Sequence, residues 1–196
     1  IYLRSIQQDL QILAKSHVTR EAILSFSTAW TAAGLSEGVE DPGTYLHKFY
    51  VTKNPRNPFQ KIGRDELQDA EDGSDYSALH LKFHPWLRAF HLDRGYDDLY
   101  LFSTEGNLIY SVAKHDDFAT NFLTGPWKDT DLAKAFRSAD GIQRNDYQVF
   151  HDFDRYAVNH GAPAGFVATP VFSSSGAYIG VVAIRMPIAR INALMR

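Results

Sequence analysis

Two short stretches of this sequence carry polar side chains of the kinds that bind small molecules. In the first, Lys114, Asp117, Thr120, Asn121 and Trp127 follow the second strand of a predicted hairpin. The Lys114 ammonium could pair with a carboxylate, while Thr120 and Asn121 could supply neutral hydrogen bonds. The alternative is a solvated charged loop, and the residue types leave both interpretations open for Lys114, Asp117 and Asn121.

The second stretch lies between apolar segments that are predicted strands, and comprises Asp152, Asp154, Arg155 and Tyr156. A buried aspartate at this point could hold an ammonium group. Tyr156 combines an apolar ring with a hydroxyl that could orient a ligand. The alternative is a surface ion pair between Arg155 and a neighbouring carboxylate. We favour a ligand-binding role for Asp152 and Tyr156 and the ion pair for Arg155.

Three further candidates lie on elements predicted to surround such a ligand. Tyr100 and Ser111 belong to the two strands of one hairpin, where they could share one face of the sheet. Aromatic residues at such spacing are more often core residues, so Tyr100 is a candidate only on the inner face. Arg88, on the preceding helix, could bind a carboxylate with two parallel hydrogen bonds. It could equally form a surface salt bridge with Asp93 or Asp97.

His80 and His84 have a spacing that places two rings on one helix face, as in some zinc sites. The segment lacks the glutamate of the metalloprotease helix, and Pro85 follows directly. The chain has no cysteine, no phosphate-binding loop and no dinucleotide fingerprint. We therefore expect no metal, no cofactor and no catalytic residue. A binding protein is favoured over an enzyme, with a small hydrolase as an open alternative.

Composition and charge place these residues in a folded globular protein. The 196 residues are 44% hydrophobic and 13% aromatic, which suffices for one domain with a helical extension. Twenty Lys and Arg residues against 23 Asp and Glu residues give a net charge of -3, which argues against a nucleic-acid partner. The sequence starts and ends inside helical patterns, without a run of ~18 apolar residues. We expect a fragment of a longer protein with flanking transmembrane helices.

The chain divides into three parts. Residues 1–34 are predicted to form a long N-terminal helix with a kink, because Leu3, Ile6, Leu10 and Leu13 repeat at helical spacing and the pattern then changes phase. This apolar seam either packs on its own domain or forms a coiled-coil-like contact, and we expect a homodimer through this helix. Residues 35–75 contain many turn signals and are predicted to form short helices and loops.

The third part, residues 76–196, is predicted to form the sheet. It starts with a helix from Ser77 to Leu92 that is interrupted or restarted at Pro85. Period-two segments then predict two strands, a helix and three more strands, followed by a helical segment from Ile188 to Met195. This order predicts an α+β fold with a PAS-like, five-stranded antiparallel sheet flanked by helices.

Several stretches, in this order and spacing, resemble a known family of sensor domains. These stretches are His84-Pro85-Trp86-Leu87-Arg88, Gly95-Tyr96-Asp97-Asp98-Leu99-Tyr100-Leu101-Phe102, Glu105-Gly106-Asn107-Leu108-Ile109-Tyr110-Ser111-Val112, Asp117-Phe118-Ala119-Thr120-Asn121, Asp152-Phe153-Asp154-Arg155-Tyr156, Gly161-Ala162-Pro163-Ala164-Gly165-Phe166 and Gly180-Val181-Val182-Ala183-Ile184 with Pro187-Ile188. Together they resemble the extracytoplasmic Cache domains of bacterial chemoreceptors, histidine kinases and nucleotide cyclases.

The resemblance implies a single Cache module in the periplasm, as part of an inner-membrane receptor. Such a domain binds a small molecule between the sheet and its covering loops and passes a displacement to the last strand and the helix after it. We expect an amino acid, carboxylate or amine as ligand. The alternatives are a structural dimerisation module, or a domain that reads a periplasmic binding protein without a ligand of its own. The expected binding residues are Arg88, Tyr100, Ser111, Lys114, Asp117, Thr120, Asn121, Trp127, Asp152 and Tyr156.

Overall fold

Helices occupy most of the first half of the chain and strands most of the second. The computed structural model describes residues 2–39, 41–54 and 63–187. The α-helices are α1 (Tyr2–Lys15), α2 (His17–Ala32), α3 (Pro42–His47), α4 (Asp75–Arg94) and α5 (Asp131–Ala139). Short helical turns follow at Leu35–Glu37, Lys48–Thr52, Arg64–Glu66 and Ala157–Asn159. The strands are β1 (Asp98–Phe102), β2 (Leu108–Ser111), β3 (Val149–Tyr156), β4 (Ala162–Phe172) and β5 (Tyr178–Met186).

The five strands form one antiparallel sheet in the order β2-β1-β5-β4-β3. Hairpins join β1 to β2 and β4 to β5, and β5 pairs with β1 in the centre of the sheet. The predicted α+β fold with a five-stranded antiparallel sheet and an N-terminal helix is thereby confirmed. The predicted C-terminal helical segment from Ile188 to Met195 lies outside the described residues.

Alternation along the strands gives the sheet two different faces. Leu99, Leu101 and Ile184 belong to the larger core, on the face that α1, α2 and α4 cover. Tyr100 and Ala183 belong to a second, smaller core on the opposite face, together with α5. Because β1 and β5 are buried on both faces, their sequences are almost continuously apolar.

The long N-terminal helix is broken at Ser16, which separates α1 from α2 and confirms the predicted kink. The α1 face that carries Ile6, Leu10 and Leu13 is buried, and α1 packs on β4 and β5 of its own sheet. These three residues therefore pack on their own domain, and the homodimer through the N-terminal helix stays a prediction. No described helix has both the length and the apolar character needed to cross a bilayer.

Pro85 does not interrupt α4, which runs continuously from Asp75 to Arg94. The prediction of a break was wrong because packing and capping outweigh the local disturbance from proline. Phe83 and Leu87 are buried on either side of it, and the Ser74 hydroxyl accepts a hydrogen bond from the Ser77 amide at 3.1 Å.

Gly180 provides a test of the central β1–β5 pairing. Its φ of 151° is in a range that favours glycine, and a Cβ atom there would overlap the carbonyl oxygen of Phe102. We expect Gly180→Ala to lower the free energy of unfolding by about 3 kcal/mol, as measured by urea denaturation. Gly176→Ala is the control. Gly176 also has a positive φ, of 86°, but open space at the Cβ position, so about 1 kcal/mol is expected. Equal losses would show that the close approach is unimportant.

Candidate functional site

Six polar side chains meet on the sheet face opposite α1, α2 and α4, where they are almost completely buried. Register brings them together, because Asp98 lies opposite Arg185 and Tyr100 lies opposite Ser111. A loop after β2 and the end of β3 supply the other two side chains. We call this set the buried polar cluster, and it consists of Asp98, Tyr100, Ser111, Asp117, Tyr156 and Arg185.

Asp98 anchors the end of the β1–β2 hairpin with one carboxylate oxygen. Oδ1 accepts hydrogen bonds from the amides of Leu99, Val112 and Ala113 at 2.8, 3.1 and 3.0 Å. The other oxygen, Oδ2, is buried without a hydrogen-bond partner among the described residues. Asp98 therefore holds the loop start in place and still presents a free acceptor to the cluster.

Asp117 has one satisfied and one unsatisfied oxygen as well. The Tyr156 hydroxyl donates to Oδ2 at 2.6 Å, whereas Oδ1 has no partner in the described part of the chain. Burial raises the pKa of Asp117 to about 7, and the nearby Asp98 charge acts in the same direction. The Tyr156 hydrogen bond and the Arg185 charge oppose this rise. Asp117 therefore changes its charge near neutral pH.

Arg185 is the cationic member of the cluster. Its side chain is 4% exposed, and Nη2 donates to the backbone oxygen of Asp97 at 3.1 Å. Nε and Nη1 have no partner among the described residues. Burial acts to lower the pKa of Arg185, but its interactions with Tyr100, Asp98 and Asp117 outweigh burial and raise the pKa. The guanidinium is thus a fixed buried cation.

Two neutral hydroxyls complete the cluster. The Tyr100 hydroxyl and the Ser111 Oγ are both buried and form no hydrogen bond of regular geometry in the described ranges, although the Tyr100 hydroxyl lies next to the Asp98 carboxylate. Burial raises the pKa of Tyr100 well above its usual value, so the phenol stays neutral. Most buried polar atoms in native proteins are hydrogen-bonded, so a local concentration of unsatisfied donors and acceptors marks a site for bound polar groups. These atoms suit a small molecule that carries both a donor and an acceptor.

Four of the residues predicted from sequence lie in the cluster, namely Tyr100, Ser111, Asp117 and Tyr156. Tyr100 and Ser111 share one sheet face across the hairpin, as expected from the alternation of the strands. Asp152 lies within β3, but its side chain is outside the part of the chain that the structure describes. The cluster thus joins residues from both polar stretches of the sequence.

No protein-family model and no curated protein matches the sequence. Among solved structures, the chain is similar to the sensor domain of the V. cholerae histidine kinase DctB, with a TM-score of 0.45 and 17% identity over 97% of this chain and 59% of that one. It is also similar to an extracellular ligand binding receptor from Desulfohalobium retbaense DSM5692, with a TM-score of 0.38 and 14% identity over 76% of this chain and 26% of that one.

These structural neighbours are a sensor domain and a ligand-binding receptor. The chain spans less than two thirds of the length of each neighbour.

Lys114 does not belong to the cluster, although it precedes Asp117 by only three residues. Its side chain is buried on the other side, where Nζ lies 4.2 Å from the Tyr110 ring centroid and 5.1 Å from that of Phe118. Tyr110 and Phe118 belong to the larger core, whereas Tyr156 belongs to the smaller one. The structure therefore does not bring the Lys114 and Asp117 side chains together, and a ligand contact of Lys114 stays an untested prediction.

Thr120, Asn121 and Trp127 line a surface groove of about 820 Å³. Their polar atoms are used within the fold. The Thr120 hydroxyl donates to the Asp117 carbonyl at 2.6 Å, the Asn121 amide donates to the Glu105 carbonyl at 2.9 Å, and the Trp127 indole donates to a backbone carbonyl at 3.3 Å. These three residues support the loop that carries Asp117 and are not members of the cluster.

Arg88 is not part of the cluster either. Its Nε donates to the Asp65 carboxylate at 2.9 Å, and both side chains are partly buried. The salt bridge expected as the alternative for Arg88 exists, but its partner is neither Asp93 nor Asp97. The sequence pattern does not indicate Asp65 as the partner, because Asp65 comes from the irregular segment before α4.

Asp98 and Arg185 belong to the buried polar cluster but are not among the residues predicted from the sequence. Each lies in a segment whose apolar character predicts a buried strand, and strand residues with such neighbours are usually core residues. A signal was nevertheless present, since Arg185 is a charged residue within an otherwise apolar strand from Val181 to Met186. Buried charges require a partner or a function, so such a residue is a candidate for a site.

Proposed function

We propose that this chain is the periplasmic sensor domain of a membrane-bound receptor, and that it binds a small zwitterion such as an amino acid in the buried polar cluster. The observation that carries this proposal is the set of buried, unpartnered atoms that meet at one place on the sheet. They are Asp98 Oδ2, Tyr100 OH, Ser111 Oγ, Asp117 Oδ1, and Nε and Nη1 of Arg185.

The charges of these atoms match the two ends of a zwitterion. The free N–H groups of Arg185 can donate to a carboxylate, and charge-assisted hydrogen bonds of this kind are strong. The free oxygens of Asp98 and Asp117 can accept from an ammonium group. The hydroxyls of Tyr100 and Ser111 can donate or accept, so they fix the orientation of the ligand rather than its charge.

The position of the cluster in the sheet supports a signalling mechanism. The cluster is closed to solvent, so ligand exchange requires the covering loop and the end of β3 to open. A ligand that binds the closed arrangement more tightly shifts the equilibrium towards it, by no more than its difference in affinity for the two states. Arg185 lies near the end of β5, so closure around the ligand displaces the end of that strand.

The first experiment is a thermal-shift screen of the purified domain against amino acids, organic acids, amines, sugars and purines. A ligand that binds only the folded state stabilises it by about 2.7 kcal/mol at a hundredfold excess over Kd. We expect stabilisation by amino acids and weaker stabilisation by simple acids or amines. A shift with sugars or purines alone would contradict the zwitterion. No shift with any class would favour a protein partner or a dimerisation role.

Variants of the two hydroxyls separate ligand binding from folding. Tyr100→Phe and Ser111→Ala each remove an unpartnered polar atom, so the free energy of unfolding should stay constant or rise by about 1 kcal/mol. Affinity for the compound with the largest thermal shift should fall about tenfold in isothermal titration. Tyr178→Phe is the control, because the Tyr178 hydroxyl already donates to Asp140 at 2.6 Å. It should lower stability by about 1 kcal/mol and leave affinity unchanged. Equal affinities in all three variants would reject the cluster as the site.

A further inference from the structure

Lys114 occupies an unusual position for a lysine, because its side chain is only 1% exposed and is surrounded by aromatic rings. Nζ lies 4.2, 5.1 and 5.8 Å from the ring centroids of Tyr110, Phe118 and Tyr50. Its one hydrogen-bond acceptor among the described residues is the carbonyl oxygen of Ser111. We call the three rings the aromatic cage. A cage of this kind stabilises a cation only in part, because the ammonium has three donors to satisfy.

The ionisable groups around Lys114 come from several elements. They are Tyr50 from the turn after α3, Arg64 and Asp65 from the turn before α4, His80 and His84 from α4, Asp98 from β1, Tyr110 from β2 and Asp116 from the loop of Lys114 itself.

Both histidines beside the cage are neutral at physiological pH. Burial lowers the pKa of His80 well below its usual value and that of His84 to about 3, and the Lys114 charge adds to both effects. Burial also lowers the pKa of Lys114 to about 7, although Asp98 and Asp65 act in the opposite direction. Lys114 is therefore the group in this environment that exchanges a proton near neutral pH.

One loop, residues 112–120, connects the aromatic cage to the buried polar cluster. Lys114 and Asp117 extend from this loop to opposite faces of the sheet. Ser111 is shared directly, since its carbonyl oxygen accepts from Lys114 and its hydroxyl belongs to the cluster. The amides of Val112 and Ala113, just before Lys114, bind the Asp98 carboxylate.

Two residues of this loop have backbone conformations that depend on the surrounding contacts. Lys114 and Ala119 have φ angles of 54° and 61°, in the left-handed region that non-glycine residues rarely adopt. Such conformations persist only while surrounding contacts hold them. For Lys114 those contacts are its hydrogen bond to Ser111, its rings, and the bond from Arg64 Nη1 to its carbonyl oxygen at 3.2 Å.

We propose that Lys114 is a proton-operated regulator of the ligand site, which moves the 112–120 loop and thereby the positions of Asp98, Ser111 and Asp117. Without a proton, the neutral amine stays buried in the aromatic cage and the loop keeps the described conformation. With a proton, the buried ammonium has only the Ser111 carbonyl as an acceptor among the described residues, so the strained loop relaxes to let it reach water. The effect of Lys114 on ligand binding rests on the proposed function, whereas its effect on the conformation of the loop does not.

The test uses the ligand-free domain and nuclear magnetic resonance between pH 5.5 and 8.5. Asp117→Asn removes the carboxyl that titrates in the same range. In this variant, we expect the amide resonances of Ser111, Val112 and Ala113 to shift with a midpoint near pH 7. The shift should disappear in the double variant Asp117→Asn, Lys114→Met. A flat response in the single variant, or a step that survives in the double variant, would overturn the proposal.

A direct measurement covers the case in which these variants do not fold. The Lys114 Cε resonance of the unaltered domain reports the charge of the amine, and it should change between pH 6 and 8.5. A resonance that stays at the position of a charged lysine throughout would also overturn the proposal. These measurements use no ligand, so they do not depend on the proposed function. If the loop responds to Lys114 and the ligand screen is negative, the proposed function is rejected and the effect of Lys114 on the loop stands.

Discussion

Arg185→Met is expected to lower the free energy of unfolding by about 3 to 5 kcal/mol. Arg185 is the cation that faces the Asp98 and Asp117 carboxyls, and its removal leaves buried acidic groups without a compensating charge. Methionine keeps a similar length and fills the same space, so the loss comes mainly from charge. Urea denaturation at pH 7 measures this loss, provided that the dependence of the free energy of unfolding on urea concentration is the same in the variant and the wild type. The variant should also bind no ligand, because the group that receives the carboxylate is gone.

Two further variants make the Arg185 result specific. Arg144→Met is the control, because Arg144 is 68% exposed and forms a surface ion pair with Asp146 at 3.2 Å. A change within about 0.5 kcal/mol is expected there. The double variant Arg185→Met, Asp98→Asn should be less unstable than the sum of the two single variants, because it removes the carboxylate that Arg185 compensates. Additive losses would show that the two residues do not interact.

Lys114→Met is expected to stabilise the domain, and to do so by about 2 kcal/mol more at pH 6 than at pH 9. The folded pKa of Lys114, about 7, is below the value of 10.5 for an unperturbed lysine. A group with a lowered folded pKa contributes stability above its unfolded pKa, and this contribution is lost as the pH falls through the folded pKa. Wild-type stability should therefore decrease from pH 10 towards pH 7 by this linkage, and the variant should lack that decrease.

Urea denaturation at several pH values measures the Lys114 linkage, with Lys82→Met as the control. Lys82 is more than half exposed, pairs with Glu21 at 3.0 Å and also lies over an aromatic ring, that of Phe83. Its replacement should change stability by less than 1 kcal/mol at every pH. Parallel pH curves for the wild type and Lys114→Met would contradict the buried, titrating amine. Asp117 changes stability in the opposite direction, because its raised pKa favours the folded state at low pH. This contribution of Asp117 to the pH dependence should be unchanged in Lys114→Met.

Much of the fold is predictable from the sequence because local patterns determine it. Period-two alternation and turn residues predict both hairpins, and helical spacing predicts α1, α2 and α5. Continuity of α4 through Pro85 is not predictable in this way, since it depends on tertiary packing around Phe83 and Leu87. The packing of the apolar α1 face on its own sheet, rather than on a second chain, is likewise not predictable from the local pattern.

The candidate site is predictable only where strand alternation decides the direction of a side chain. Tyr100 and Ser111 meet because they are paired across a hairpin. Lys114 points away from Asp117 because its backbone has a left-handed conformation, which no residue pattern in the loop reveals. Asp98 and Arg185 meet through the pairing of β1 with β5, and this pairing joins distant parts of the chain.

The central position of β5 has a consequence for the order of folding. Strands β1 and β2 form one local unit, and β3, β4 and β5 form another, whereas the β1–β5 pairing must bring together segments about 80 residues apart. Long-range pairings of this kind fold slowly. Asp98, Tyr100 and Ser111 come from the first unit, and Tyr156 and Arg185 come from the second. During refolding, hydrogen-exchange protection within each unit should therefore precede the ability to bind ligand, which is acquired only when the two units join.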